Sequence, residues 1–261
     1  MIKKVYTTLI LALCSVIFES IAAESNRRIA LIQMSFEWGD TEKNIASVER
    51  KIASIEGCDM VILPELFISG CDMQRRAKEE KTAIKVRIAA EYPALVERMK
   101  RWAAQSGAVV VGSTIFQQGE LFYNRLIAAF PNGGVELYDK HNCFKMGSFS
   151  AGDDHLVIDV DGHRFATYIC YDLRFSQWSR NDGRYDTAIY IANWPESRAE
   201  DWRGLLSERA AENCAHVIGV NCVGQDPTGV NFIGESSLYD PSGELVAKCR
   251  DGAEEILIVN Y

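Results

Sequence analysis

Residues 28–66 read RIALIQMSFEWGDTEKNIASVERKIASIEGCDMVILPEL. The apolar run at 29–32 predicts a strand. Asp40 is placed to cap a helix, because apolar side chains then recur at intervals of three and four residues until Gly57. A second apolar run at 60–63 predicts a buried strand. The stretch therefore predicts a strand-helix-strand unit, which is typical of α/β folds.

The same pattern recurs along the chain. Two more helices are predicted, each followed by a strand: 93–106 with 109–111, and 198–213 with 217–220. Further short strands are predicted at 165–169, 187–192, 237–239, 245–247 and 256–259. Turn sequences such as Gly119-Glu120 and Asp161-Gly162 are typical of hairpins, so part of the sheet is predicted to be antiparallel. We predict one α/β domain over residues 27–261, with helices outside and a mixed sheet inside.

Composition limits the class of partner. The chain has 261 residues, 28 Lys and Arg against 36 Asp and Glu, a net charge of −8 and 48% hydrophobic residues. This apolar fraction excludes intrinsic disorder, because the chain can bury enough surface to offset its ordering entropy. The acidic balance, without a block of five like charges, argues against nucleic acid or an anionic membrane surface as the main partner. A small molecule is the predicted partner.

The first 23 residues have the plan of a secretory signal. Lys3 and Lys4 precede an apolar run at 5–18, and small residues follow at 20–23. The run is shorter than the about 18 apolar residues that a membrane span requires, and no later segment reaches that length. We predict a signal peptide at 1–23 and an exported protein, periplasmic or secreted. The alternative is a cytoplasmic protein with an N-terminal extension.

The cysteines and histidines do not predict a metal site. Eight cysteines occur, one of them in the predicted signal, and the remaining odd number requires at least one unpaired thiol. No C-x-x-C is present, and the four histidines lack the spacing of zinc ligands. We therefore predict that the protein binds no metal.

Three polar residues lie where predicted strands end: Glu65, Lys140 and Cys170. Sites of α/β proteins are built at the carboxyl ends of strands. A lysine near a cysteine lowers the pKa of the thiol and can stabilise an oxyanion, and a glutamate can transfer the proton. The three residues would therefore form a self-consistent catalytic set. The alternative is a buried Glu–Lys ion pair beside an inert core cysteine.

The segments around these residues resemble the three signature regions of the nitrilase or carbon–nitrogen hydrolase superfamily. They are Leu63-Pro64-Glu65-Leu66, Tyr138-Asp139-Lys140 and Cys170-Tyr171-Asp172-Leu173-Arg174-Phe175, in that order. Other stretches are most similar to the bacterial ω-amidases: Phe67-Ile68-Ser69-Gly70 with Met73, Ala192-Asn193-Trp194-Pro195, Arg209-Ala210-Ala211-Glu212-Asn213, and Gly219-Val220-Asn221 with Val223-Gly224. The resemblance covers residue 28 to the C-terminus. It implies a four-layer αββα sandwich in a single domain.

The resemblance also implies roles for the strand-end residues. Cys170 is the nucleophile, Glu65 the general base, and Lys140 stabilises the oxyanion together with the backbone N–H of Tyr171. The reaction is hydrolysis of a small carboxylate-bearing amide through a thioester, releasing ammonia, and it needs no metal or organic cofactor. Alternatives within the superfamily are a nitrile, an N-carbamoyl compound or acyl transfer to an amine. Family members commonly associate, so a homodimer is expected.

Four residues are candidates for binding the substrate, each with a structural alternative. Arg174 is predicted to bind a substrate carboxylate, or else to brace the strand end by pairing with Asp172 or Glu212. The other three are predicted to line the pocket, or else to be core residues: Phe67, Asn193 and Trp194. Cys143 could pair with Cys170 if the protein is exported.

The loop after Lys140 departs from the family pattern. Related amidases usually carry a glutamate there that is often a fourth member of the active site. Residues 141–152 contain no acidic residue and are about four residues short, and Asp153 and Asp154 lie beyond them. Either water or another residue replaces the glutamate, or the enzyme is impaired, or the chain is a binding protein that retains the three residues without activity.

Overall fold

The structure is a computed structural model and describes residues 27–70, 77–144 and 149–261. The first of its two large sheets contains β1 (Arg28–Gln33), β2 (Met60–Ile62), β3 (Val109–Gln118), β4 (Leu121–Ala129), β5 (Val135–Asp139) and β14 (Glu255–Asn260). Their order is β14-β1-β2-β3-β4-β5. The β1, β2 and β3 strands are parallel, and the other pairs are antiparallel. This confirms the mixed sheet.

The second large sheet is built on the same plan. It contains β6 (Val157–Val160), β7 (His163–Ile169), β8 (Thr187–Ala192), β9 (His216–Asn221), β12 (Ser237–Tyr239) and β13 (Leu245–Lys248). Their order is β13-β12-β9-β8-β7-β6, with β7, β8 and β9 parallel. A separate hairpin pairs β10 (Val223–Gln225) with β11 (Asn231–Ile233). Parallel strands therefore lie at the centre of each large sheet.

The helices are α1 (Thr41–Ile52), α2 (Lys78–Ala90), α3 (Tyr92–Ser106) and α4 (Ala199–Asn213). The Asp40 side chain accepts a hydrogen bond from the backbone N of Lys43 and begins α1, and Gly107, in the left-handed conformation, ends α3. The three predicted helices are confirmed. The predicted end of α1 at Gly57 is wrong, since the helix ends at Ile52. None of the helices in the described part of the chain is long and apolar enough to cross a membrane.

The α2 helix was not predicted from the sequence. Only three of its residues are buried, and one of them is Lys85. Without a continuous apolar stripe the segment lacks the period that identifies a helix. Its formation depends on packing against the neighbouring helix and sheet, which single-sequence patterns do not show.

Three hydrophobic layers define the architecture. The first lies between the first sheet and α1, α2 and α3, and the second lies between the two sheets. The third lies between the second sheet and α4. Successive strand residues alternate between layers: Ala188 and Tyr190 face α4, whereas Ile189 and Ile191 face the other sheet. The four-layer αββα sandwich is confirmed.

Candidate active site

The structure brings Glu65 and Lys140 together at the carboxyl ends of β2 and β5. Lys140 Nζ donates a hydrogen bond to Glu65 Oε1 at 2.8 Å. The exposed fractions of the two residues are 4% and 5%. A pair of charges this deeply buried is stabilised only when further hydrogen bonds satisfy the remaining polar atoms.

Those further bonds come from Asn124 and Asn193. Asn124 Nδ2 donates to Glu65 Oε1 at 2.7 Å, and the backbone N of Asn193 donates to Glu65 Oε2 at 2.9 Å. Asn124 faces the space between the sheets, because it lies two residues before Leu126, a member of the inter-sheet layer. Sequence reasoning missed it, although an Asn at an inward position of an apolar strand was a usable signal. The Glu65 carboxylate is thus held from both sheets.

Cys170 lies on a strained turn beside this pair. It follows β7 directly, begins a 3₁₀ helix (Cys170–Arg174) and has a φ of 46°, a left-handed value that is costly for a residue with a Cβ. Its sulfur interacts with the Glu65 side chain and with the backbone N–H of Asn193. The three residues predicted to form a catalytic set are therefore neighbours.

The protonation state of Cys170 differs from the sequence-based expectation. Burial, followed by the negative charge of Glu65, raises the pKa of the thiol well above its ordinary value, and the opposing effect of Lys140 is smaller. Lys140 does lower the pKa of the thiol, as expected from the sequence, but the net shift is upward because burial and Glu65 act more strongly. Burial alone lowers the pKa of Lys140, but opposing effects, led by the negative charge of Glu65, raise it to a net value above the ordinary one. The resting site holds a neutral thiol beside an ion pair.

A buried carboxylate, Asp172, fixes the turn that carries Cys170. Its Oδ2 accepts hydrogen bonds from the backbone N of Ile169 at 3.0 Å and from the Tyr138 hydroxyl at 2.8 Å. Its Oδ1 accepts bonds from the backbone N of Asn142 at 2.7 Å and from Asn142 Nδ2 at 3.0 Å. Burial raises the pKa of Asp172, and these donors together with Lys140 oppose that effect. Asp172 thus ties the loop after Lys140 to the turn that carries Cys170.

Aromatic stacking reinforces this connection. Trp178 Nε1 donates to the Tyr138 hydroxyl at 3.0 Å. The Trp178 ring stacks on His141 with centroids 3.5 Å apart and on His155 with centroids 3.9 Å apart. His141 Nδ1 also lies 2.6 Å from the carbonyl oxygen of Gly152. The described parts of the loop after Lys140 are therefore well anchored.

A cavity of about 590 Å³ opens beside the turn that carries Cys170. It is lined by His141, Asn142, Cys143, Phe144, Phe149, Ala151, Tyr171 and Phe175. The Tyr171 ring packs edge-on against Phe144 and Phe175. Cys143 lies in this wall with its sulfur 3.4 Å from the carbonyl oxygens of Lys140 and Ser150, and burial raises the pKa of its thiol to about 11. The cavity lining is mainly aromatic and also includes polar groups from His141, Asn142 and Cys143.

Neither loop carboxylate enters the site. The Asp153 side chain is 96% exposed, and its Oδ1 lies 4.0 Å from His141 Nδ1. Asp154 is also exposed. Within residues 27–70, 77–144 and 149–261, no group of three or more His, Cys, Asp or Glu side chains is arranged to hold a metal ion.

Three of the four candidate substrate contacts have structural roles. Phe67 is fully buried in the first layer against Trp102, and Trp194 is buried in the third layer against Trp202. Both lie in core layers, which is the structural alternative, and neither lines the cavity described above, so their role in the pocket stays a prediction. Arg174 Nη2 donates to Asp201 Oδ2 at 2.5 Å.

The bracing partners proposed for Arg174 are wrong. Asp172 is occupied by the bonds described above, and Glu212 pairs with Arg209. Arg174 instead braces the 3₁₀ turn against α4, which contains Asp201.

Asn193 differs from the other candidates. It is 9% exposed, and both polar atoms of its side chain are buried without a hydrogen-bond partner. It continues the alternation of Ile189 and Ile191, so it faces the space between the sheets, as Glu65 does. An amide with its donor and acceptor both free is available for a ligand.

Comparison with known proteins decides the family. Residues 28–261 match the carbon-nitrogen hydrolase family. The chain belongs to the carbon-nitrogen hydrolase family. It is 36% identical to omega-amidase YafV of Escherichia coli (strain K12) over 224 residues, covering 84% of each chain. It is 29% identical to 2-oxoglutaramate amidase of Bacillus subtilis (strain 168) over 239 residues, covering 88% of each.

A solved structure of the same family has the same fold. XC1258 from Xanthomonas campestris, a CN-hydrolase superfamily protein with an arsenic adduct in the active site, superposes with a TM-score of 0.82. It is 31% identical, and the match covers 90% of each chain. The resemblance to this superfamily and to its ω-amidase branch is therefore confirmed.

Proposed function

We propose that this protein is an ω-amidase-like amidohydrolase that releases ammonia from a small amide carrying a carboxylate. The observation that carries the proposal is the buried Glu65–Lys140 ion pair beside the Cys170 thiol. The relatives named omega-amidase and 2-oxoglutaramate amidase support the substrate class.

Cys170 is neutral at rest, so the first step combines proton transfer with attack. Glu65 takes the thiol proton while sulfur forms a bond to the amide carbonyl carbon, and the carbonyl π electrons move to oxygen. The Lys140 ammonium and the backbone N–H of Tyr171 stabilise this oxyanion. Forming the thiolate only during attack avoids a second buried negative charge beside Glu65.

The same carboxyl group completes the cycle. Glu65 gives its proton to the amide nitrogen, the C–N bond breaks, and ammonia leaves a thioester on Cys170. Water then loses a proton to Glu65 and adds to the thioester carbon. Collapse of this second oxyanion expels the Cys170 thiolate, which recovers a proton, and the carboxylic acid leaves.

Asn193 is the proposed contact for the reacting end of the substrate. Its backbone N–H holds Glu65, and its side-chain amide is buried without a partner. An amide offers both a donor and an acceptor, which match the N–H and C=O groups of a primary amide. Binding a substrate would satisfy groups that are costly to leave unpaired.

The test is ammonia release from purified protein with a panel of 2-oxoglutaramate, succinamate, glutamine, a simple nitrile and an N-carbamoyl amino acid. Release confined to the ω-amides, and abolished in Cys170→Ala, is the expected result. Ammonia release from the nitrile or the N-carbamoyl compound alone would mean that this compound, and not an ω-amide, represents the substrate class. If no compound in the panel releases ammonia, the second candidate function, a non-catalytic binding protein, is favoured. The observation that supports this candidate is the absence of an acidic residue at 141–152.

Export and dimerisation are separate proposals. Residues 1–23 lie outside the described part of the chain, and their sequence supports a cleaved signal. N-terminal mass spectrometry should find mature protein beginning near Ala23 or Glu24, and an intact Met1 on the native protein would contradict export. Sedimentation equilibrium should give twice the chain mass if the protein is a homodimer.

A further inference from the structure

The cation predicted to bind a substrate carboxylate is already neutralised. Arg174 pairs with Asp201 at 2.5 Å, and its guanidinium lies 4.9 Å from the centre of the Trp194 ring. A substrate carboxylate at Arg174 would have to displace Asp201 or share the guanidinium with it. The carboxylate-bearing substrates of the proposed function therefore need another cation.

Arg198 is an arginine without such a partner. Its guanidinium lies 5.8 Å from the centre of the Trp194 ring and 5.7 Å from that of Phe144. Within the described residues the Arg198 guanidinium makes no ion pair and donates no hydrogen bond, whereas the backbone N of Arg198 donates to the carbonyl oxygen of Pro195 at 3.0 Å. Its backbone carbonyl accepts a hydrogen bond from Trp194 Nε1 at 2.7 Å, which fixes the position of the residue. Arg198 therefore contributes an uncompensated positive charge.

This charge lies beside the candidate active site. Phe144 lines the cavity and packs edge-on against Tyr171, with ring centroids 5.2 Å apart. Tyr171 directly follows Cys170. A guanidinium that lies over aromatic rings keeps its N–H edge free, and that edge matches a carboxylate with two parallel hydrogen bonds. The Phe144 ring thus lies near the unpaired Arg198 guanidinium and also near Tyr171, the residue that follows Cys170.

We propose that Arg198 binds the carboxylate of the substrate and sets the preference for ω-amides of dicarboxylic acids. The inference rests on the proposed function and deepens it, because it names the residue that reads the end of the substrate remote from the scissile bond. Arg198 is a specificity residue, since it contacts the substrate and takes no part in bond breaking.

The experiment compares succinamate with butyramide, which has a methyl group in place of the carboxylate. Arg198→Gln should lower kcat/KM for succinamate about 10- to 100-fold, mainly through KM, as expected for loss of a charge-assisted contact. Butyramide hydrolysis should stay within about twofold of wild type. Arg198→Lys keeps the positive charge but loses the geometry for two parallel hydrogen bonds. Its kcat/KM for succinamate should lie between those of wild type and Arg198→Gln.

Binding to a protein that cannot turn over separates this inference from the proposed function. Calorimetric titration of Cys170→Ala with succinamate should show binding that the added Arg198→Gln change weakens about 10- to 100-fold. If wild type is inactive but this difference appears, the proposed function fails and the Arg198 assignment stands. Equal losses for succinamate and butyramide, or unchanged succinamate binding, would overturn the assignment.

Discussion

The substitution Asp172→Asn should lower both the stability and the activity of the protein, because it changes a buried carboxylate. The carboxylate accepts four hydrogen bonds, two on each oxygen. Asparagine keeps one oxygen and places an NH₂ group against two of the existing donors. Bonds to a charged acceptor contribute about 1.5–3 kcal/mol each, so losing two costs about 3–6 kcal/mol.

Removing the charge offsets part of this cost. Burial raises the pKa of Asp172, which means that the ionised form is expensive to bury and the neutral amide is less so. We expect a net loss of about 3 kcal/mol in the free energy of unfolding and a fall in Tm of about 6–12 °C. Because Asp172 also holds the backbone N of Ile169, next to the strained Cys170, kcat should fall more than KM rises.

Urea and thermal denaturation measure the first effect, and steady-state kinetics on succinamate measures the second. Asp153→Asn is the matched control, because its side chain is 96% exposed and the change should alter stability by less than about 0.5 kcal/mol. An Asp172→Asn protein that unfolds within about 0.5 kcal/mol of wild type, with unchanged kcat, would refute the reasoning.

Three further predictions concern the candidate site. Because burial and Glu65 raise the pKa of Cys170, its alkylation by iodoacetamide should rise with pH without a plateau below pH 9, whereas a plateau near neutrality would indicate a preformed thiolate. Lys140→Met and Glu65→Gln should each lower the free energy of unfolding by about 3–5 kcal/mol, and the double variant should lose less than the sum; additive losses would mean that the ion pair is not coupled. Asn193→Ala removes two unpartnered polar atoms, so Tm should stay within about 2 °C of wild type while kcat/KM for ω-amides falls at least 10-fold; a large drop in Tm would assign Asn193 a structural role instead.

Local patterns were sufficient for most of the fold. Asp40 and Gly107 mark helix ends through their own conformational preferences, and the apolar run before Glu65 reports a buried strand. Such signals lie within a few residues of the feature they predict. The α2 helix escaped prediction because its stability comes from tertiary packing.

Interactions between residues far apart in the sequence could not be predicted in the same way. Arg174 had several acidic residues available, and only the position of α4 selects Asp201, 27 residues away. The pKa of Cys170 depended on a balance between burial and two opposite charges, and the sequence supplies the charges without the burial. The strand ends could be identified from the sequence, but the pairing and protonation of their side chains could not.

The stacking of Trp178 between His141 and His155 has an optical consequence. An imidazolium in contact with an indole ring quenches its fluorescence, whereas neutral imidazole quenches far less. Burial lowers the pKa of His155, which disfavours the charged form of this ring. The difference in emission between wild type and Trp178→Phe therefore reports on the surroundings of the Trp178 ring. Because His141 begins the loop after Lys140, a change in this difference on adding ligand would report a change at the start of that loop.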